Sequence, residues 1–241
     1  MVGVNAKTET TLKARIPELA RSRQLIVVTS DDWDAARARL ERFERKGTIW
    51  TSLGPAIAVV VGRQGMAWGI GLHGSHPEDE EPVKAEGDGR APAGVFALDK
   101  IFGYAKASEA GVATFPYMEL TPSTEGVEDC ASRYYNRVVD AATVRDKDWK
   151  SYESMLRPDN LYQWGVVVEH NWKAAPCSGS CIFLHIWRGA GLGTAGCTAM
   201  PHDQMESIVH WLDRLKMPLL VQMPAQTYES LRTKWRLPEA D

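Results

Sequence analysis

Two side chains in the last third of the chain have the types and spacing of a nucleophile and its base. His185 lies in residues 181–187, whose β-branched and aromatic residues favour a strand. A glycine-rich loop follows and leads to Cys197, which Gly196 leaves sterically open. A cysteine attacks a carbonyl carbon as the thiolate, and an imidazole within reach accepts the thiol proton. The pattern therefore indicates an acyl-transfer site, with Cys197 as nucleophile and His185 as general base.

The turn before Cys197 has a second chemical use. Successive backbone N–H groups in a tight turn can point at the oxygen of a tetrahedral intermediate, and one such donor contributes about 3 kcal/mol in studied enzymes. The N–H groups of Gly196 and Cys197 are suited to this role. We therefore expect this turn to carry both the nucleophile and the oxyanion donors.

The same residues have structural interpretations that spacing alone leaves open. A cysteine in an apolar segment is more often an inert core residue, and a histidine between two aliphatic residues is by default a hydrogen-bonded core side chain. Cys177, Cys181 and His185 recur at intervals of four residues, which on a helix would suggest a zinc site completed by Cys197. The segment favours a strand, and a proline and a glycine interrupt helical periodicity, so we expect no metal.

The surrounding residues predict a mixture of strands and helices. Residues 30–47 predict a helix that Gly47 stops, with an apolar face formed by Trp33, Ala36, Leu40 and Phe43. Further helices are predicted at about 201–216 and 224–235. Apolar or β-branched runs predict strands at 25–29, 56–61, 66–70, 95–98, 165–169, 181–187 and 219–223. Strands dominate the middle and helices flank them, which favours an α+β fold around a mostly antiparallel sheet.

Composition and charge exclude several classes of partner. The chain has 241 residues, 44% of them hydrophobic, and a formal net charge of −3. Its basic and acidic residues are interleaved, so we expect no nucleic-acid partner and no attraction to an anionic membrane. No stretch approaches the roughly 20 apolar residues of a transmembrane helix. Residues 1–15 are polar and lack an apolar signal segment, so the protein is either cytoplasmic or has had its targeting segment removed.

Several motifs together resemble those of one enzyme family. Cys197 lies in a Thr-Ala-Gly-Cys context shortly after the strand that carries His185. Other matching segments, in the same order as in the family, are residues 86–96, 132–136, 169–171 and 179–187. From about residue 50 to residue 217, the chain resembles the catalytic domain of the L,D-transpeptidases of the YkuD type.

The resemblance implies a mostly antiparallel, β-sandwich-like α+β fold with flanking helices. Residues 1–48 would form an N-terminal helical extension packed on a catalytic domain of residues 49–241. It also implies a cysteine enzyme that acts on peptidoglycan stem peptides through a thioacyl-enzyme, in the periplasm or cell envelope after removal of a signal segment. An amine completes a transfer, with an envelope protein as one candidate acceptor or leaving group.

Two alternatives to transfer stay open. Water in place of the amine gives a hydrolase of the same fold, an L,D-carboxypeptidase or an amidase that releases envelope-attached proteins. A catalytically inactive envelope-binding module is a third class, and the intact Cys197 and His185 argue against it. The resemblance implies no cofactor and no metal.

By position in the matched motifs, Cys197 is the nucleophile and His185 the general base. The turn that begins at Thr194 and contains Gly196 is the orienting and oxyanion element. Better-known members of the family have a histidine before the Gly-Cys pair and an arginine or asparagine shortly after it. Here Ala195 stands in place of that histidine, and Thr198 and Ala199 stand in place of the downstream pair. A basic or amide group that would hold the substrate is therefore missing locally. Candidate replacements, chosen by charge or by their place in matching segments, are His170, Arg188, Tyr135 and Arg133.

The four cysteines are too few for a disulfide scaffold. Cys130 and Cys181 both lie in segments that match the family, and they could form a disulfide in an exported protein. Cys177 lies outside the strongest matches and is expected to be incidental.

Overall fold

The computed structural model describes residues 15–74 and 81–240. Within these residues lie fourteen strands, three α-helices and short 3-10 helices at Ala141–Thr143 and Arg214–Lys216. The helices are α1 Pro17–Arg21, α2 His202–Trp211 and α3 Ala225–Trp235. The strands are β1 Gln24–Ser30, β2 Arg37–Lys46, β3 Ile49–Ser52, β4 Ile57–Val60, β5 Met66–Trp68, β6 Ala91–Gly103, β7 Tyr117–Glu119, β8 Thr124–Val127, β9 Val138–Asp140, β10 Tyr152–Ser154, β11 Trp164–Val168, β12 Phe183–Ile186, β13 Thr198–Met200 and β14 Leu219–Pro224.

Eight of these strands close into a mixed barrel. Hydrogen bonds join them in the order β1-β14-β6-β11-β12-β13-β4-β2, and β2 pairs again with β1. The pairs β1–β14 and β12–β13 are parallel, and the other pairs around the barrel are antiparallel. A closed sheet has no unpaired edge, whereas a sandwich has two separate sheets. The predicted α+β sandwich-like fold with flanking helices is therefore wrong, and the described residues contain only three short α-helices.

Strand β2 occupies residues that the sequence predicted to be helical. Along it the exposed Arg37 and Arg39 alternate with the buried Ala38 and Leu40, which is the period of a strand. The carboxylate of Asp32 accepts 2.8 Å hydrogen bonds from two following backbone N–H groups, which makes a turn there. Pairing with β1 and β4 then decides the conformation, because it buries one face of β2 in the core.

The N-terminal strands belong to the same barrel as the strands beyond residue 49. All seven residues of β1 are buried, and β1 pairs with β14 near the other end of the chain. The predicted segment 1–48 falls partly outside the described residues. Its described part contributes the five-residue helix α1 and two strands of the barrel.

The helices cover apolar surfaces of the sheet. Helix α2 buries Met205, Ile208 and Val209, as the spacing predicts, but it ends at Trp211 and leaves Leu215 78% exposed. Helix α3 spans the residues that the sequence predicts for the last helix. No helix of the described residues has the length and apolar character that crossing a membrane requires.

A separate three-stranded sheet has the strand order β10-β8-β9. The segment between β8 and β9 is linked covalently to the loop before β12. The link is a disulfide between Cys130 and Cys177. Cys181 is a buried free thiol, so the predicted pairing of Cys130 with Cys181 is wrong. The fold decides which cysteine bonds to Cys130. The side chain of Cys181 is buried beside Gly126 of β8, whereas Cys177 is exposed on the same loop.

Candidate active site

The register of β12 and β13 places His185 and Cys197 on the same face of the barrel wall. His185 pairs with Ala199, and Cys197 lies two residues before Ala199, so both side chains point to one side of the sheet. The N–H of Phe183 donates a 3.3 Å hydrogen bond to Sγ of Cys197. Cys197 and His185 line one cavity of about 570 Å³. The structure thus places the predicted nucleophile and base at the same cavity, with no direct hydrogen bond between them among the described residues.

Burial keeps Cys197 in its thiol form. The residue is 8% exposed, and desolvation raises the pKa of its thiol to about 12. The negative charge of Glu153 contributes to this rise, and the hydrogen bond from the Phe183 N–H opposes it. The thiol also contacts the carbonyl oxygen of Cys181 at 3.6 Å, which is a hydrogen bond that a thiol donates.

His185 is neutral and has the tautomer that a general base needs. Its Nδ1 lies 2.7 Å from the carbonyl oxygen of Ile186, which can only accept, so Nδ1 carries the proton. Nε2 therefore has its lone pair available. Burial lowers the pKa of His185 to about 4, and the hydrogen bond to Ile186 partly opposes this. The imidazole is thus neutral at physiological pH, and the lowered pKa makes it a weaker base than a solvated histidine.

The turn before Cys197 is built around the Thr194 side chain. Its hydroxyl donates a 2.6 Å hydrogen bond to the carbonyl oxygen of Cys197 and accepts a 3.1 Å bond from the Gly196 N–H. The Gly196 N–H is therefore engaged inside the turn and is not an open oxyanion donor. In the part of the chain that the structure describes, the Cys197 N–H has no hydrogen-bond partner. Of the predicted pair of oxyanion donors, only the Cys197 N–H is therefore open to a ligand.

A network of polar residues that sequence reasoning missed forms one wall of the cavity. The Tyr162 hydroxyl donates a 2.7 Å hydrogen bond to Glu153, and Arg157 donates a 2.6 Å bond to the other oxygen of that carboxylate. The Tyr162 ring packs edge-on against His185, with ring centroids 5.1 Å apart. These residues come from the segment around β10 and carry no motif, so only the folded chain shows their proximity to Cys197.

Glu128 adds a carboxyl group to the same cavity. Burial and the charges of Glu153 and Glu86 raise its pKa to about 7. Near neutral pH this carboxyl therefore exists in both protonation states, which is a property suited to proton transfer.

Of the predicted substrate contacts, Arg188 lies at the cavity and Tyr135 near it. Arg188 lines the cavity, and its guanidinium lies 3.7 Å from the Asp159 carboxylate. Tyr135 is buried, and its hydroxyl donates a 2.5 Å hydrogen bond to Glu86, which lines the cavity. Burial and this carboxylate raise the pKa of Tyr135. Tyr135 thus acts on the cavity through Glu86.

The other two predicted contacts lie away from Cys197. His170 is buried, accepts a hydrogen bond from the Ile70 N–H at 3.3 Å and donates one to the Ser178 carbonyl at 2.9 Å. It lines a second cavity of about 420 Å³ instead. Arg133 lies on the surface, where it stacks on a tyrosine and lies 3.6 Å from Asp148. The structure gives both residues structural partners.

The zinc alternative has no support in the geometry. Over residues 15–74 and 81–240, no group of three or more His, Cys, Asp or Glu side chains could hold a metal ion. Cys177 is in a disulfide, and the side chains of Cys181 and His185 have different partners, the carbonyl oxygens of Val127 and Ile186.

Comparisons with known proteins give little beyond this geometry. No family model and no curated protein matches the chain. Among solved structures, Bd1075 of Bdellovibrio bacteriovorus is similar, with 13% identity and a TM-score of 0.41. The match covers 93% of this chain and 57% of that one, so this chain spans little more than half of the other's length. A likeness of this extent carries no argument about function.

Proposed function

We propose that the protein is a cysteine enzyme that transfers or cleaves acyl groups on peptidoglycan stem peptides. The observation that carries the proposal is the shared cavity of Cys197 and His185, in which the base presents an unprotonated Nε2. The motif resemblance to L,D-transpeptidases supplies the substrate class. A cavity of about 570 Å³ also lies within the range of small-ligand sites, which suits one short peptide.

The first half-reaction forms a thioester. Sγ of Cys197 attacks the carbonyl carbon between an L-centre and the terminal D-residue, while Nε2 of His185 takes the thiol proton. The Cys197 N–H stabilises the oxyanion of the tetrahedral intermediate. The imidazolium then donates its proton to the leaving amine, the C–N bond breaks, and the acyl group stays on sulfur.

The second half-reaction returns the enzyme to its starting state. An amine or a water molecule attacks the thioester carbonyl and loses a proton to His185. The C–S bond then breaks, and the proton returns to Sγ of Cys197. Because the thiol and the imidazole are both neutral before the reaction, the cavity contains no thiolate–imidazolium ion pair between turnovers.

Hydrolysis of the same peptides is the second candidate, and Glu128 supplies a base for it. A carboxyl group with a pKa of about 7 in the same cavity can take a proton from an attacking water molecule. The same group can also deprotonate an ammonium acceptor, so the products decide between the two reactions.

We place the protein in the periplasm or cell envelope as part of this proposal. The Cys130–Cys177 disulfide supports this location, because disulfides form and persist in oxidising compartments. Stem peptides are accessible there. An envelope protein remains a candidate acyl acceptor or leaving group.

Product analysis with purified muropeptides tests the reaction type. Wild-type protein should release D-alanine from tetrapeptide stems, and Cys197→Ser should release none while it keeps the wild-type melting temperature. Cross-linked or amine-exchanged products would establish transfer, and trimmed stems alone would establish hydrolysis. Release that persists in Cys197→Ser would contradict the proposal.

A further inference from the structure

Four cationic arginine and lysine side chains of the described residues line the cavity that contains Cys197, and three of them have anionic partners. Lys84 lies 2.5 Å from the Asp88 carboxylate. Arg157 is held by two carboxylates, at 2.6 Å and 2.7 Å. Arg188 lies 3.7 Å from the second of these carboxylates. These three charges are balanced within the protein.

Arg63 is the fourth of these cations, and its side chain is exposed. Within residues 15–74 and 81–240, its guanidinium has no hydrogen bond and no ion pair. The group lies against Gly89, where an added Cβ would be 3.1 Å from Cζ and 3.2 Å from Nε and Nη2. The guanidinium lies beside Gly89 at the cavity, and its N–H donors face no acceptor among the described residues.

Backbone contacts hold Arg63 beside the turn that carries the nucleophile. The Arg63 N–H donates a 2.8 Å hydrogen bond to the carbonyl oxygen of Thr194, whose hydroxyl in turn bonds Cys197. Gly193 packs so closely that a Cβ there would lie 2.5 Å from Cα of Arg63. The arginine and the nucleophile are thus connected through a single residue.

The residues after Cys197 cannot hold a substrate carboxylate themselves. Thr198 and Ala199 are 1% and 0% exposed, and the Thr198 hydroxyl donates a 2.5 Å hydrogen bond to Gln222. A peptide whose terminal residue is cleaved off has its carboxylate one residue from the scissile bond. A cation close to the turn but outside it can therefore reach that group.

We propose that Arg63 binds the terminal carboxylate of the acyl-donor peptide and so selects donors with a free C-terminus. This inference rests on the proposed function, since it assigns a subsite of the same cavity. The guanidinium offers two parallel N–H donors that match the geometry of a carboxylate, and hydrogen bonds between ions are stronger than neutral ones. Arg63 is thus a specificity residue, and the acyl chemistry stays with Cys197 and His185.

Kinetics with two matched donors test the assignment. The donors are a muropeptide tetrapeptide with a free terminal D-alanine and the same peptide with a terminal carboxamide. For the free acid, Arg63→Ala should lower kcat/KM about 10- to 100-fold, mainly through KM, and Arg63→Lys should lie in between. For the carboxamide, Arg63→Ala should change kcat/KM less than about 3-fold, and the wild-type protein should prefer the free acid by the factor that Arg63→Ala removes.

Arg37→Ala is the matched control. Arg37 is exposed on β2 and lies next to Gly191 of the same glycine-rich loop, outside the cavity. Its removal changes the net charge equally, so it should leave both donors unaffected. Equal loss on both donors in Arg63→Ala, or a wild-type protein that does not distinguish them, would overturn the carboxylate subsite and leave the proposed function standing. A wild-type protein that turns over neither donor and forms no Cys197 adduct would overturn both.

Discussion

Burial shifts the pKa values of Cys197 and His185 in opposite directions, and both shifts favour the neutral form. The thiol pKa rises to about 12 and the imidazole pKa falls to about 4. At any pH between these two pKa values, the ligand-free site therefore contains a thiol and a neutral imidazole. The site therefore does not hold a standing thiolate–imidazolium pair, and in the proposed reaction proton transfer accompanies attack on the carbonyl.

Thiol alkylation against pH tests this neutral pair. Only the thiolate reacts, so the rate for Cys197 should rise about tenfold per pH unit from pH 7 into the alkaline range, without a plateau below pH 9. Iodoacetamide labelling with peptide mapping separates Cys197 from the buried Cys181. A plateau near pH 6 or 7 would show a standing ion pair and contradict the description of the resting site.

The base is tested by the rate of acylation. His185→Ala should slow formation of the Cys197 acyl adduct with purified muropeptides at neutral pH about 100-fold or more, because the imidazole that takes the thiol proton is absent. His210→Ala is the control, since His210 is an exposed residue of α2 outside the cavity. An unchanged rate of adduct formation in His185→Ala would remove His185 from its role as base.

The sequence was sufficient to predict that Cys197 and His185 lie near each other, because they are close along the chain. His185 and Cys197 belong to consecutive strands joined by one loop, so residue type and glycine content point to them directly. Glu153, Tyr162 and Arg63 reach the cavity from other elements, and no pattern in the sequence relates them to Cys197. Predicting them requires the strand order of the barrel.

At the scale of elements, the strands with one clear periodicity were predictable and β2 was not. The runs that became β11, β12 and β14 are short, apolar and β-branched, which leaves little choice. In β2, Leu40 and Phe43 lie three residues apart, a spacing that a helix also favours. Its pairing with both β1 and β4 selects the strand, and such tertiary pairing outweighs local propensity.

His170 connects the end of β11 to two loops, and this suggests a test of stability against pH. Burial lowers its pKa from 6.5 to about 4, so the unfolded chain binds its proton at a higher pH than the folded chain does. The contribution of neutral His170 to the free energy of unfolding is therefore complete above pH 6.5, and it is lost as the pH falls towards 4. At pH 4.5 the loss amounts to about 2–3 kcal/mol.

Urea unfolding at pH 7.5 and pH 4.5 measures this loss. His170→Gln keeps a donor and an acceptor but cannot titrate, so its free energy of unfolding should fall by about 2–3 kcal/mol less between the two pH values than that of the wild type. His202→Gln is the control, as His202 is exposed at the start of α2. An equal fall in His170→Gln and the wild type would contradict a buried neutral His170.

At the scale of the whole molecule, closure of the barrel depends on contacts that local patterns do not encode. Strand β1 pairs in parallel with β14. Leu25 is the ladder partner of Leu219, although the two residues lie near opposite ends of the sequence. Local sequence predicts both strands but not their pairing. The sandwich was implied by the motif resemblance, and local patterns did not correct it, because they do not encode which strands meet.

The Cys130–Cys177 disulfide is the covalent constraint on this architecture. Its cysteines are 47 residues apart, and closing a loop of this length stabilises the folded state by up to about 4 kcal/mol. The double variant Cys130→Ser/Cys177→Ser should therefore lower the free energy of unfolding in urea by about 2–4 kcal/mol. The single variant Cys181→Ser should keep the bridge, which a non-reducing peptide map detects. A bridge between Cys130 and Cys181 in that map would contradict the fold around β8.

The central claim, that Cys197 forms a thioacyl-enzyme, is tested most directly by intact-protein mass spectrometry during incubation with purified muropeptides. We predict a mass increase equal to the stem peptide without its terminal D-alanine, mapped to Cys197, and no increase in Cys197→Ala. Folded, reduced wild-type protein that gains no mass, or gains it at another residue, would contradict the account.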